Sequence, residues 1–163
     1  MPDLFTHAAT GYLIGRSLYT DYRFGLIVFG SILPDLLTRV PQIILQRFLE
    51  FPVAHFFAAF HTPVALIFSC YILCFLFAET HRKTSFSLML FGALCHFLLD
   101  LMQEQFYQPI YMPWFPISFQ AVQWSWFHIH ASLLVTPVLL IAVLCLWTRD
   151  TKQQRIGMNQ RNT

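Results

Sequence analysis

The chain has 163 residues, with Lys+Arg 10 against Asp+Glu 8 and 11% charged residues, under half of the roughly one quarter usual in soluble domains. At 56% hydrophobic and 17% aromatic residues, with a mean hydropathy of +0.55, a water-soluble globule of this size lacks the charge to cover its surface, so the chain belongs in a membrane. A net charge of +2 spread over scattered basic residues excludes nucleic acid as the primary ligand.

Apolar runs bounded by charge predict five segments, roughly Leu4 to Tyr19, Phe24 to Thr38, Pro63 to Ala78, Phe86 to Met102 and His128 to Thr148. The expected fold is all-α: a polytopic helical membrane protein, a bundle of four to five transmembrane helices over residues 1–150, with a polar tail over 151–163. The start, Met1-Pro2-Asp3-Leu4, lacks the basic n-region of a cleavable signal, so the first segment is expected to be retained. The first two segments reach only about 22 to 24 Å, short of the ~30 Å of hydrocarbon. Asp3 or Thr6 can cap the first segment and Ser85 the fourth, Pro63 suits the first turn of the third, and Gln153 to Thr163 reads as a mobile end. Cys70, Cys74, Cys95 and Cys145 all fall inside apolar runs and read as packing residues.

Eight of the ten Lys and Arg residues lie in three places: Arg16 and Arg23, Arg82 and Lys83, and the run from Arg149 to Arg161. The positive-inside rule puts those places in the cytoplasm, with the N-terminus and the 39–62 and 103–127 connections on the other side. The C-terminus is then cytoplasmic, with Arg39 and Arg47 as exceptions; the alternative has four crossings, with the first segment lying on the surface. The outer connection carries Tyr107, Tyr111, Trp114, Trp124 and Trp126, an aromatic belt at headgroup level or a lipid-facing rim over a site.

His and Asp took no part in that assignment, yet they gather at one end. His7 opens the first segment, Asp35 ends the second, His61 opens the third, and His96 and Asp100 lie toward the outer end of the fourth. Ionisable groups at membrane depth are costly and mark functional sites. His96, Asp100 and Glu104 are spaced i, i+4, i+8 and share one helix face. A His and a carboxylate one turn apart suit a divalent ion, zinc first, with manganese or magnesium also acceptable to carboxylate oxygen. The candidate ligands are therefore His7, Asp35, His61, His96 and Asp100; the rival reading is a polar network without metal. His55 is a further candidate ligand or an interfacial packing residue. Only one of His128 and His130 can join the cluster, being two residues apart. Arg39, four residues after Asp35, either pairs with it or clamps a phosphate. His81 reads as solvated charge.

These residues stand in four ordered pieces: Thr6-His7-Ala8-Ala9-Thr10-Gly11, Leu33-Pro34-Asp35-Leu36, Phe60-His61-Thr62, and Gly92-Ala93-Leu94-Cys95-His96-Phe97-Leu98-Leu99-Asp100. In them the chain resembles the LexA-binding, inner-membrane-bound hydrolase family (YdjM-like, predicted membrane-bound metal-dependent hydrolases). It departs from the family pattern at Leu37, where a second acidic residue is usual, and around His55-Phe56-Phe57, where a His-Arg-Gly is usual. The spacing of His96 and Asp100 is also similar, more distantly, to that of zinc-dependent phospholipase C. The resemblance implies a bacterial inner membrane and a metal-dependent hydrolase.

The expected function is hydrolysis of an ester or phosphoester of a lipid-like substrate at the outer membrane face, using a bound divalent ion, with Glu104 as general base. Two alternatives belong to other classes: an ion, proton or metal transporter built on the same residues, and a non-catalytic membrane partner.

Overall fold

A computed structural model describes residues 4–49, 60–102, 114–118, 120, 122, 124–128 and 131–161. They form five helices, α1 (Leu4–Leu18), α2 (Arg23–Leu49), α3 (Pro63–Cys74), α4 (Glu79–Met102) and α5 (Ala131–Arg161), with no β-strand among the described residues. Three helices are long and apolar enough to cross a membrane: α2 over Arg23–Leu45, α4 over Glu79–Met102 and α5 over Leu134–Lys152. At ~1.5 Å per residue, α1 and α3 reach only about 22 and 18 Å, shorter than the other three, and the five helices together agree with the expected all-α helical membrane protein.

The helix ends differ from the apolar boundaries because charge marks the edge of hydrocarbon, not the end of a helix. α4 begins at Glu79, and Ser85, expected as its cap, is instead buried inside the helix. Residues 79–84 contain no Gly or Pro to stop the helix, and an acidic residue in the first turn complements the helix dipole. For the same reason α5 continues through the polar tail to Arg161, where a mobile end was expected. α2 runs past Thr38 and contains both Pro34 and Pro41. A proline inside a helix removes one N–H from the ladder, a loss that membrane helices tolerate where neighbours re-satisfy the freed groups. At the start of α3 the expected proline is in place: Thr62 is the N-cap, its hydroxyl accepting from Ala65 N–H, and Pro63 sits in the first turn.

α4 packs most extensively on α2, and α3 covers a second side of α4. Without a hydrophobic force between helices in lipid, close contact has to come from small residues. Gly30 lies against the backbone of Met89 and Gly92 against the backbone of Ile27, so a Cβ at either position would collide with a carbonyl oxygen. Around this crossing Leu33, Leu66, Cys70, Cys74, Met89, Ala93, Phe97 and Leu101 form the core. The burial of Cys70 and Cys74 there agrees with their reading as packing residues.

α1 packs against α2 across a short turn, where Asp21 Oδ1 accepts the N–H of Arg23. α5 touches α1 and is fastened to both ends of that helix: Thr6 Oγ1 lies 2.6 Å from Thr136 Oγ1, and Asp150 Oδ2 lies 2.6 Å from both Nε and Nη2 of Arg16. The remaining faces of α5 expose Leu134, Val138, Ile141, Leu144 and Trp147, a surface suited to lipid and costly in water.

Candidate metal centre

Five polar side chains, four from helices α1, α2 and α4 and one from the segment leading into α3, meet at one end of the bundle. His7 lies on the buried face of α1, Asp35 one residue after Pro34 in α2, His61 just before α3, and His96 and Asp100 on one face of α4. All five are buried, Asp100 to 1% exposure and His96 to 0%.

Asp100 is the hub. Its Oδ1 is 3.3 Å from His7 Nε2, and its Oδ2 is 2.9 Å from His61 Nε2 and 3.1 Å from His96 Nε2. The rings of His7 and His96 stack with centroids 3.7 Å apart, and His61 lies 5.2 Å from His96. Asp35, His61 and His96 form a second group sharing His96 with the first, and within each group the donor atoms lie within 4.8 Å of one another.

The second nitrogens of two histidines are held by the backbone and side chains of α2. His96 Nδ1 is 2.7 Å from the carbonyl oxygen of Ser31, so that nitrogen carries the proton and donates it, leaving Nε2 as a lone-pair donor. His61 Nδ1 is 3.4 Å from Thr38 Oγ1, whose own hydrogen goes to the carbonyl of Pro34 at 2.8 Å. The hydroxyl oxygen can therefore accept from His61 Nδ1, and in that tautomer Nε2, which faces Asp100, carries the lone pair. Such outer contacts set the tautomer and orientation of metal-binding histidines. Ser31 also anchors α1, its hydroxyl donating to the carbonyl of His7 at 3.0 Å. The sequence reading passed over Ser31 and Thr38. Ser31 stands four residues before Asp35, on the same helix face, which is the one signal that could have found it.

The donor set fits a divalent cation. Three imidazoles and two carboxylates are the nitrogen and oxygen ligands zinc takes, and manganese accepts them too. Among the described residues, His7 Nδ1 and Nε2 and His96 Nε2 are buried with no hydrogen-bond partner, although two of them lie close to Asp100. Two ligands about 2.1 Å from one ion stand about 3.0 Å apart at right angles and about 3.4 Å apart at the tetrahedral angle. The separations of 2.9 to 3.3 Å between imidazole nitrogens and the Asp100 carboxylate match that span. A buried carboxylate also requires positive charge nearby. Asp35 has Arg39, its Nε 3.6 Å from Oδ1, whereas the neighbours set around Asp100 are imidazoles.

Two further histidines stay outside. His128 is exposed, and its carbonyl accepts the N–H of Ala131 at the start of α5. His81 is exposed near the opposite end of α4 from His96. His55, Glu104 and His130 lie outside the described residues, as do Tyr107 and Tyr111. The end of the aromatic connection meets the site end of the bundle: the N–H groups of Trp124 and Trp126 donate to the carbonyls of Leu101 and Met102, immediately after Asp100, at 2.8 Å each.

No curated protein and no solved structure matches the chain. A family model described as YdjM inner membrane protein matches residues 1–159, and with that coverage, together with the apolar helices above, the chain belongs to the YdjM family of inner membrane proteins.

Proposed function

We propose that the chain is a membrane-embedded metal-dependent hydrolase acting on an ester or phosphoester of a lipid-like substrate at the non-cytoplasmic face, with His7, Asp35, His61, His96 and Asp100 as metal ligands. The observation that carries this reading is the convergence of three imidazole Nε2 atoms on one buried carboxylate, with both ring nitrogens of His7 and the Nε2 of His96 buried and without a hydrogen-bond partner among the described residues. Bound there, a divalent ion, zinc first, supplies Lewis-acid polarisation of the scissile group and acidifies water. The protein's part is to hold the imidazoles in one tautomer through Ser31 and Thr38, to keep bulk water out, and to move a proton. Glu104, one helical turn beyond Asp100 in sequence, is assigned as general base on spacing alone.

A conduit for ions or protons would spread buried ionisable groups through the membrane depth. Among the described residues, the buried His and Asp side chains, His7, Asp35, His61, His96 and Asp100, stand at one end of the bundle, which favours a site over a path. An orientation with the opposite end and the C-terminus in the cytoplasm is supported by the basic residues Arg16, Arg23, Arg82, Lys83 and Arg149 under the positive-inside rule. A reporter fused to the C-terminus that is active only in the periplasm would reverse it.

The test is elemental analysis of the purified protein beside its His96→Ala variant, paired with hydrolysis of short-chain phosphoester and carboxylester lipids. The parent should hold a divalent ion and turn over one class of lipid, and the variant should lose both. Equal metal in the two proteins refutes the ligand assignment.

A further inference from the structure

Resting on the hydrolase reading, we propose that Arg39 is a specificity-determining residue that grips a phosphoryl anion, which makes the substrate a phosphate-bearing lipid and not a neutral ester. Arg39 lies within the apolar span of α2, where a cation is costly unless it meets an anion. Its partner there is Asp35, and the pairing is loose: Nε stands 3.6 Å from Oδ1, beyond hydrogen-bond length. The Arg39 side chain stays 42% exposed while Asp35 is 11% exposed, so the guanidinium is the outer member of the pair and the carboxylate the inner one. A guanidinium carries five N–H donors, and the one on Nε is directed to the Asp35 pairing. Among the described residues it has no other hydrogen-bond or ion-pair partner, which leaves the planar fork of terminal nitrogens open to solvent or ligand. That fork matches the oxygens of a phosphate two at a time, a geometry that a neutral ester cannot use.

Two features of the same end fit a lipid. Arg47, eight residues further and about 12 Å along α2, adds a second exposed cation on the approach. Trp124 and Trp126, stacked with centroids 5.6 Å apart and partly exposed, are bonded through their backbone to the end of α4 that carries Asp100. Cations beside interfacial indoles form the surroundings of an anionic headgroup.

The experiment measures equilibrium binding of three probes to the full-length, zinc-loaded protein in detergent: dihexanoyl phosphatidate, dihexanoyl glycerol and inorganic phosphate. The parent should bind phosphatidate tightest, Arg39→Gln should weaken that binding at least tenfold, and Arg39→Lys, which keeps the charge for Asp35 but not the fork, should weaken it less. Metal content should stay at the parent level in Arg39→Lys. Phosphatidate binding unchanged in either variant overturns the role of the fork, and phosphate binding as tightly as phosphatidate overturns the lipid source. Dihexanoyl glycerol binding as well as phosphatidate overturns the anion preference. Because the readout is anion binding and not turnover, it stays separate from loss of metal in His96→Ala, which tests the hydrolase reading on its own.

Discussion

Asp100→Asn separates a metal centre from a metal-free polar network, because the two readings assign opposite dependence on zinc. Asn keeps the volume and one oxygen but loses the charge that faces His7, His61 and His96 at 3.3, 2.9 and 3.1 Å. Losing an outer-shell partner of a ligand already costs about 10- to 100-fold in metal affinity, so loss of the charged hub should cost about 100-fold or more. With free zinc at 100 times the parent's Kd, binding stabilises the parent by about 2.7 kcal/mol, while a variant with 100-fold weaker affinity gains about 0.4 kcal/mol. For a chain of this size that corresponds to a rise of about 5 to 10 °C in melting temperature against about 1 °C. In a network held only by protonated histidines, the substitution would break buried ion pairs at a cost of about 3 to 5 kcal/mol, with or without zinc. The assay is thermal unfolding in detergent, with chelator and with buffered zinc, for both proteins. Equal zinc responses in parent and variant, or no response in either, refute the metal reading.

Three other perturbations probe the frame around the site. Thr38→Val removes the hydroxyl facing His61 Nδ1 and should weaken zinc binding about 10- to 100-fold, while Thr38→Ser retains it; equal affinity in a competition titration against a chelator would remove Thr38 from the site. Gly30→Ala drives a Cβ into the Met89 carbonyl and should cost about 1 to 3 kcal/mol, whereas Gly25→Ala meets nothing within 4 Å and should be neutral or stabilise by up to about 1 kcal/mol; equal melting temperatures would contradict the close crossing of α2 and α4. A double-mutant cycle of Arg16→Gln and Asp150→Asn should give a coupling of about 1 kcal/mol that shrinks in high salt, and strict additivity would show that the contact does not hold α5 to α1.

What the sequence determined by itself is local or compositional. Scarce charge placed the chain in a membrane, apolar runs located five helices, and i, i+4 spacing put His96 and Asp100 on one face, since helical periodicity needs no knowledge of the rest of the chain. Ordered motifs also marked His7, Asp35 and His61 as candidates for the same end. What only the tertiary structure decided is how they meet. The stacking of His7 on His96, the proton on His96 Nδ1 and the support of His61 by Thr38 depend on how α1, α2 and α4 cross. That crossing is set by backbone contact at Gly30 and Gly92, and neither glycine announces its partner in sequence. Helix ends were hidden for a related reason: hydropathy reports where lipid stops, while Glu79 and Arg161 end helices that hydrogen bonding carries past that boundary.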